Sequence, residues 1–510
     1  MQLPFTRPSQ RPDQTAARPS WRTYAAPALL ITGAVVYLAV YIFTYSQYPS
    51  DDAYIHLRIA RHLAEHNVPY YNPDQAVAGG SSLFWLILLG GLFKLISATP
   101  LILPYLTLGF TLGAFAVCTL LLQERFSRSQ ALVLAFFLVA TTLVNVAALL
   151  METPAAIFFW LLAVRCWQRK SFGWMGFFSA MAFLTRYEFA VWLIVGLLML
   201  EDRRTAYRYV LGGVGPALFF VVFNLTFFAT LIPNTVTAKS QVYPLSLDEF
   251  LFLLDTNRLG LALFSAINLG LLIASLKHDL PRWMKACAFF PLALFGMYCM
   301  RKVFMFSWYW PNVFFPLSLA YLLIFTGKQR VAFVIFLFSF SPPLTAAVTD
   351  GYGLFTGNPS LYREYDPGRR VQQYLRIGAE LDRAYPDAVL MTSEIGGLGW
   401  GFPGRIIDAV GLVSPESLRY HPMAVPEDRD SAINGSIPPQ AIQDLQPNLV
   451  VSMETFSKAV RRDIANGRLE NYYLLQEYPV LAPDSHSSHV DLWGAHLTQV
   501  FSRSTDLNRP

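Results

Sequence analysis

Between residue 24 and residue 349 the chain is dominated by apolar runs long enough to cross or enter a bilayer, and few folds other than a membrane bundle can hide that much hydrocarbon. The first run, 24–45, has 22 residues and follows four arginines, Arg7, Arg11, Arg18 and Arg22. It is longer than a signal-peptide core and no small-residue cleavage site follows it, so it reads as a retained first transmembrane helix. Further apolar segments occupy roughly 82–98, 101–123, 131–150, 154–167, 172–185, 189–200, 209–232, 259–276, 286–300, 311–326 and 331–349. Charged residues make up only 14% of the chain, against about 25% in soluble domains. The deficit is uneven: residues 1–349 hold 25 Lys/Arg and 14 Asp/Glu, whereas 350–510 hold 14 and 20. That break predicts a boundary near Asp350. The organisation expected is a cytoplasmic tail (1–23), a transmembrane module (24–349) and a C-terminal domain (350–510). The four cysteines, Cys118, Cys166, Cys287 and Cys299, lie in or beside apolar segments and form neither a disulfide framework nor a CxxC pair.

Lysine and arginine stay on the cytoplasmic side of a membrane, so the loops decide orientation. One alternating set of loops, with the N-terminal arginines, holds 17 basic residues; the complementary set (46–81, 151–153, 186–188, 233–258 and 301–310) holds seven. The assignment requires 82–123 to make one net crossing, with 82–98 interfacial or re-entrant and 101–123 as the true span. The segments 172–185 and 189–200 are short, and form either two tilted spans or one hairpin. The fold class predicted is mainly α: a polytopic bundle of about 11 spans plus juxtamembrane helices, with an extracytoplasmic α/β domain. Asp51, Asp52, Glu152, Arg186, Glu188, Lys239, Arg301 and Lys302 then all emerge on the face away from the cytoplasm. Charged groups at membrane depth are costly and usually functional, so eight on one face point to a single polar cavity.

The loop after the first helix places Asp51-Asp52 at the start of a short amphipathic helix expected to lie in the interface plane. Glycosyl transfer needs an acceptor hydroxyl deprotonated as it attacks the anomeric carbon, work a carboxylate performs. When the leaving group is a phosphate, its charge calls for Arg, Lys or a metal. The alternative for an aspartate here is an N-cap. His62-Leu63-Ala64-Glu65-His66 also fits the H-x-x-E-H zinc-protease pattern, but the helix is short and offers no third ligand.

The run Asp51-Asp52-Ala53-Tyr54, with Arg58, Ala60-Arg61 and Leu63-Ala64-Glu65, then Tyr71-Asn72-Pro73 and Gly79-Gly80-Ser81-Ser82-Leu83-Phe84-Trp85, resembles the first outer loop of bacterial GT-C class membrane glycosyltransferases. The branch it resembles includes the terminal arabinofuranosyltransferases of mycobacterial walls. Met151-Glu152-Thr153-Pro154, Leu184-Thr185-Arg186-Tyr187-Glu188 and Ile232-Pro233-Asn234-Thr235 with Ala238-Lys239 resemble three further motifs of that family, with Tyr187 where proline is usual. Asp408 with Gly411-Leu412 is similar to a later segment. The resemblance implies many transmembrane helices, an active site at the extracytoplasmic face of the cytoplasmic membrane, a polyprenyl-phosphate sugar donor and a catalytic acid in the first outer loop. Carried over, it makes Asp51 or Asp52 the general base and Glu152 a second acid on the sugar or a metal. It sets Arg186 and Lys239 on the donor phosphate. Arg58, Glu188 and Asn234 are the other candidates of these motifs for substrate binding, and Arg301 and Lys302 are candidates by position. No cofactor is evident; a divalent metal held by the acids stays open.

Each residue has a structural alternative. Glu152 suits the dipole of a helix beginning at Pro154. Arg186 and Glu188 could pair with membrane neighbours for structure, Lys239 could snorkel, and Arg301 and Lys302 precede an aromatic belt at Trp308-Tyr309-Trp310. In the C-terminal domain, residues 369–384 have helical spacing, whereas 389–392, 449–453 and 497–501 read as strands. Glu394-Ile395-Gly396-Gly397-Leu398-Gly399 reads as a turn, since Pro403 and Gly404 stand where a dinucleotide site would open a helix. The domain is expected to cover the cavity or select the acceptor. The partners expected are the lipid-linked donor, membrane lipid and a glycan, lipid or protein acceptor; the basic residues track the membrane edges and carry no nucleic-acid signature. A transporter or flippase for a lipid-linked glycan is the competing reading, and it lacks the paired internal repeats such folds show.

Overall fold

The computed structural model describes residues 21–242, 279–301, 308–324, 342–357, 369–421, 436–479 and 497–504, with a few isolated positions between them. Among these, four helices are long and apolar enough to cross a membrane. They are α1 (Trp21–Tyr45), α4 (Leu103–Leu122, entered through a 3-10 turn from Pro100), α10 (Arg203–Phe228) and α12 (Arg282–Met300). Shorter helices fill the bundle between them: α2 (Asp51–His66), α3 (Leu83–Leu95), α5 (Arg128–Thr142), α6 (Val144–Ala148), α7 (Thr153–Gln168), α8 (Phe172–Thr185), α9 (Ala190–Leu198), α11 (Asn234–Val242), α13 (Trp310–Ile324) and α14 (Pro342–Thr356). Helix α3 has 13 residues and rises about 20 Å, less than the ~30 Å hydrocarbon core. Pro100–Leu122 is therefore the long apolar helix of that pair. The total of about 11 spans depends in part on 243–278 and 325–341, most of which lie outside the described residues.

Local chemistry sets the helix ends. Ser127 and Gln130 form a capping box that starts α5. Asp202 accepts from the Thr205 N–H to start α10, and α2 stops at Asn67, in the left-handed region at φ 57°. The core between helices is aromatic. Trp160, Trp192 and Phe290 are fully buried with ring centroids 5.4–5.7 Å apart. The two ends of the bundle differ in charge. Arg165, late in α7, lies 3.7 Å from Glu124. Arg282 donates to the Leu200 carbonyl, and Arg125 reaches Met284 Sδ. These basic loops meet at one end. Glu152 stands at the other end of α7, beside Arg186, where α8 ends.

The C-terminal unit sits at that second end. Its five-stranded sheet has the order β2-β1-β3-β5-β4, with β1 (Leu390–Thr392), β2 (Ile406–Asp408) and β3 (Leu449–Met453) parallel and β4 (Tyr472–Pro479) and β5 (Leu497–Arg503) antiparallel. Helices α15 (Arg370–Ala384), α16 (Gly397–Gly401), α17 (Pro439–Leu445) and α18 (Lys458–Ala465) complete it. The expected strands at 389–392, 449–453 and 497–501 are present, β5 running two residues further; β2 and β4 are additional.

Helix α2 is more enclosed than its amphipathic pattern suggested. Its nine central positions are nearly all buried, Arg58 and His62 included, because α2 is enclosed between α3 and α16. The amphipathic pattern records two protein neighbours instead of a lipid face and a water face.

Candidate functional site

Two sets of polar side chains converge at the acidic end, one on each side of α2. The first set ties the loop 46–81 and the start of α11 to the C-terminal unit. Asp51 accepts from the backbone N–H groups of Gly396 and Gly397, each at 2.8 Å, at the entry to α16. Burial raises its pKa, and those two N–H groups together with Arg370 pull it back. A Cβ on Gly396 would lie 1.9 Å from the Asp51 carbonyl oxygen, and one on Gly399 would lie 1.8 Å from the Tyr71 hydroxyl. Close backbone approach thus explains this glycine run, and where a turn was expected the short helix α16 opens at Gly397. Arg58 uses all of its donors on backbone carbonyls: Nε on Tyr71 at 2.9 Å, and the two terminal nitrogens on Gly399, Phe402, Pro403 and Gly404. The Asn72 side chain donates to the Ile406 carbonyl and accepts from the Ile406 N–H, completing the outer edge of β2. Asn234 donates to the carbonyls of Gly411 and Leu412 at 2.7 and 2.8 Å. Gly411 there has φ +85°, and Asp408 folds the same turn by accepting from the N–H groups of Val410 and Val413.

Three candidate residues belong to this set. Arg58 and Asn234, candidates for substrate binding, hold backbone here: Arg58 binds the carbonyls of Tyr71 and of four residues of the C-terminal unit, and Asn234 binds two carbonyls of that unit. Asp51, a candidate base, has both carboxylate oxygens engaged by backbone donors, which holds it against α16.

The second set gathers between α2, α7, the α8–α9 turn, α11 and the start of α13. Arg186 is 4% exposed and lies at its centre. Its Nη1 is 2.9 Å from Glu152 Oε1 and 3.1 Å from Thr153 Oγ1, and its Nε is 2.6 Å from Glu188 Oε1. Glu188 Oε1 also accepts from the Tyr298 hydroxyl and Asn312 Nδ2, each at 3.2 Å. The Arg186 guanidinium lies 4.9 Å from the centre of the Tyr309 ring, and the Tyr309 hydroxyl lies 3.1 Å from Lys239 Nζ. Burial works against the Lys239 ammonium, but the Tyr309 phenol and the Asp52 carboxylate outweigh it and hold the group above the ordinary lysine range. Asp52 differs from Asp51: among the described residues it makes no hydrogen bond, it is part-exposed, and its charge acts on Lys239. His56, one turn along the same face of α2, is buried 3.9 Å from Glu152.

Of the eight charges expected on one face, Asp51, Asp52, Glu152, Arg186, Glu188 and Lys239 lie at this end. Arg301 follows Tyr298 by three residues, caps α12 and is exposed. Lys302 lies outside the described residues. Sequence reasoning missed His56, Tyr298, Tyr309 and Asn312. Only the i, i+4 spacing of Asp52 and His56 offered a signal; the others sit among apolar residues and read as core or belt. Among the described residues no group of three or more His, Cys, Asp or Glu is placed to hold a metal, and the His62–Glu65–His66 pattern has none either. His62 Nδ1 instead meets the Tyr70 carbonyl at 2.9 Å.

Residues 363–496 match the model of a domain of unknown function, DUF8728. No curated protein matches the chain. The fold is similar to crystal structures of ArnT from Cupriavidus metallidurans, one bound to undecaprenyl phosphate (TM-score 0.52) and one in the apo state (TM-score 0.51). Each is 13% identical in sequence, over 96% of this chain and 100% of that chain.

Proposed function

We propose that this chain is a membrane glycosyltransferase that moves a sugar from a polyprenyl-phosphate carrier to an acceptor hydroxyl at the acidic end of the bundle. The observation that carries the reading is the separation of Asp52 from Asp51. One carboxylate is consumed by backbone donors, and its neighbour is left free of them beside a buried lysine. The fold shared with ArnT, crystallised with undecaprenyl phosphate, and the motif resemblance to GT-C transferases point the same way. The clustering of basic loops at the opposite end supports an extracytoplasmic site and C-terminal domain on the cytoplasmic membrane, with a cytoplasmic N-terminus.

In this reading Asp52 accepts the proton of the acceptor hydroxyl as its oxygen attacks the anomeric carbon. The bond from that carbon to the phosphate oxygen breaks, and the carrier phosphate leaves. Lys239 meets the charge that develops on it. Arg186 acts differently from the phosphate contact first expected of it. With Glu152 and Glu188 on its edges it holds those two acids in place, and the trio carries net negative charge suited to a sugar or an oxocarbenium-like centre. Exposed Arg301 is a second cation available to the phosphate. A pentofuranose such as arabinofuranose is the sugar implied by the branch resemblance. Proteoliposomes given labelled undecaprenyl-phosphate arabinofuranose should release undecaprenyl phosphate as sugar moves to an acceptor. Asp52→Asn should abolish that release; wild-type turnover in Asp52→Asn sinks the assignment.

A further inference from the structure

Three buried polar atoms of this second set, His56 Nδ1, Glu152 Oε2 and Asn312 Oδ1, lack a hydrogen-bond partner among the described residues, and the first two lie close together. His56 is 4% exposed and Glu152 is 1% exposed. Among the described residues His56 Nδ1 has no hydrogen-bond partner, and neither has Glu152 Oε2. The two atoms face each other at 3.9 Å, too far for a hydrogen bond between them. An unpartnered buried polar atom ordinarily costs on the order of 1–3 kcal/mol, and here two such atoms share one gap. Glu152 cannot swing away to relieve it, because Oε1 is fixed by Arg186, which is fixed in turn by Glu188. His56 cannot retreat, because α2 is enclosed between α3 and α16.

The chemistry of the gap selects what fills it. The nearby carboxylate favours the imidazole tautomer with its proton on Nδ1, which gives one donor opposite one acceptor. A phosphate oxygen would satisfy His56 but would be repelled by Glu152. An ammonium would satisfy Glu152 but has no lone pair for Nδ1–H. A hydroxyl does both, donating to Glu152 Oε2 and accepting from His56 Nδ1. The gap lies one helical turn from Asp52, on the same face of α2, within reach of a sugar whose anomeric carbon is next to that base.

We infer that His56 and Glu152 form a hydroxyl-binding subsite that grips one hydroxyl of the donor sugar, with His56 a specificity-determining residue. The inference rests on the glycosyltransferase reading above and extends it to the part of the site that distinguishes one sugar from another. A site built to hydrogen-bond a particular hydroxyl rejects the analogue lacking it, because its own buried groups are then stranded.

The test is binding to the full-length protein in nanodiscs, with undecaprenyl phosphate alone and with a panel of undecaprenyl-phosphate pentoses and hexoses as probes. At least one glycosylated lipid should bind wild type tighter than the bare carrier, and His56→Leu should lose roughly tenfold to a hundredfold of that gain while binding the bare carrier as wild type does. His56→Asn, which returns an N–H, should recover part of it. Among monodeoxy forms of the preferred sugar, one should lose as much on wild type as His56→Leu costs and lose nothing further on that variant. If the sugar-dependent gain survives in His56→Leu, or if no sugar improves on the bare carrier, the subsite is overturned and the carrier site stands. If the bare carrier itself fails to bind wild type, the glycosyltransferase reading falls and takes the subsite with it.

Discussion

Asp51 and Asp52 are adjacent in the chain and begin the same helix, yet they belong to two regions that treat their carboxylates differently. On one side of α2, in the seam with the C-terminal unit, the motif residues find partners: Asp51 has two backbone donors, Arg58 has five carbonyls, and Asn72 and Asn234 pair with backbone, while Arg61 Nη2 has no hydrogen bond among the described residues. On the other side, in the second set, demands are left open: Asp52 has no hydrogen bond among the described residues, and His56 and Glu152 each keep a buried atom without a partner. The residue types are the same, and burial is no guide, since Arg58 is more buried than Arg186. For the two aspartates, what differs is whether the carboxylate is already held by backbone donors. A buried polar group left unsatisfied calls for an explanation, and a ligand, an ordered water or an ion can supply one.

The contrast can be broken most sharply at the aspartates. Asp52→Asn should lower transfer by about 10²–10⁴-fold, the usual contribution of a positioned general base, with no change in fold. Thermal melts alongside proteoliposome turnover check both halves, and normal turnover would place the chemistry elsewhere. Next in size, Arg58→Met strands buried carbonyls and should weaken docking of the C-terminal unit by on the order of 3–5 kcal/mol. Limited proteolysis should then release a C-terminal fragment that wild type retains; equal resistance would mean the seam does not hold the unit. Asp51→Asn should cost about 1–3 kcal/mol of stability, because an amide nitrogen now faces one of the glycine N–H groups, while turnover per folded molecule persists. Lost turnover with unchanged stability would exchange the roles of the two aspartates.

The smallest effect concerns Asp408 in the seam, whose carboxyl burial pushes up to about 6 from an ordinary 3.8. A raised acid pKa means the folded state prefers the proton. The stability it contributes is therefore complete below pH 3.8 and lost as pH rises through about 6, by on the order of 1–3 kcal/mol. Wild-type melting temperature should fall across that window more steeply than that of Asp408→Asn. Parallel profiles would show that the N–H groups of Val410 and Val413 already offset the burial.

Much of this was legible in the sequence, for identifiable reasons. Hydrophobic runs and basic loops reveal a membrane bundle with two unlike ends because lipid imposes both patterns on any chain. The strand at 449–453 could be read because all five of its residues are buried on both faces of a sheet interior. β2 could not, since three residues, Ile406–Asp408, carry no period of their own. The motif residues were found as a group, but the backbone partners of Arg58 and Asn234 were not. A buried arginine that ties up carbonyls and one that awaits a phosphate look alike until the partner backbone, more than 300 residues away for Arg58, is in view. His56 and Tyr309 stayed hidden because nothing local distinguishes a residue of the site from one facing a helix.

The single amide of Asn72 has a consequence for anyone who cuts the chain. β2 is an outermost strand of its sheet, and both hydrogen-bonding groups of Ile406 are closed by a side chain from the membrane portion. Excised by itself, a fragment covering 350–510 would present that edge bare, together with the carbonyls that Arg58 normally occupies. Bare strand edges recruit one another into aggregates. Preparations of the isolated fragment should therefore precipitate or oligomerise, and a synthetic peptide spanning 51–80 should restore monodispersity by supplying the missing border.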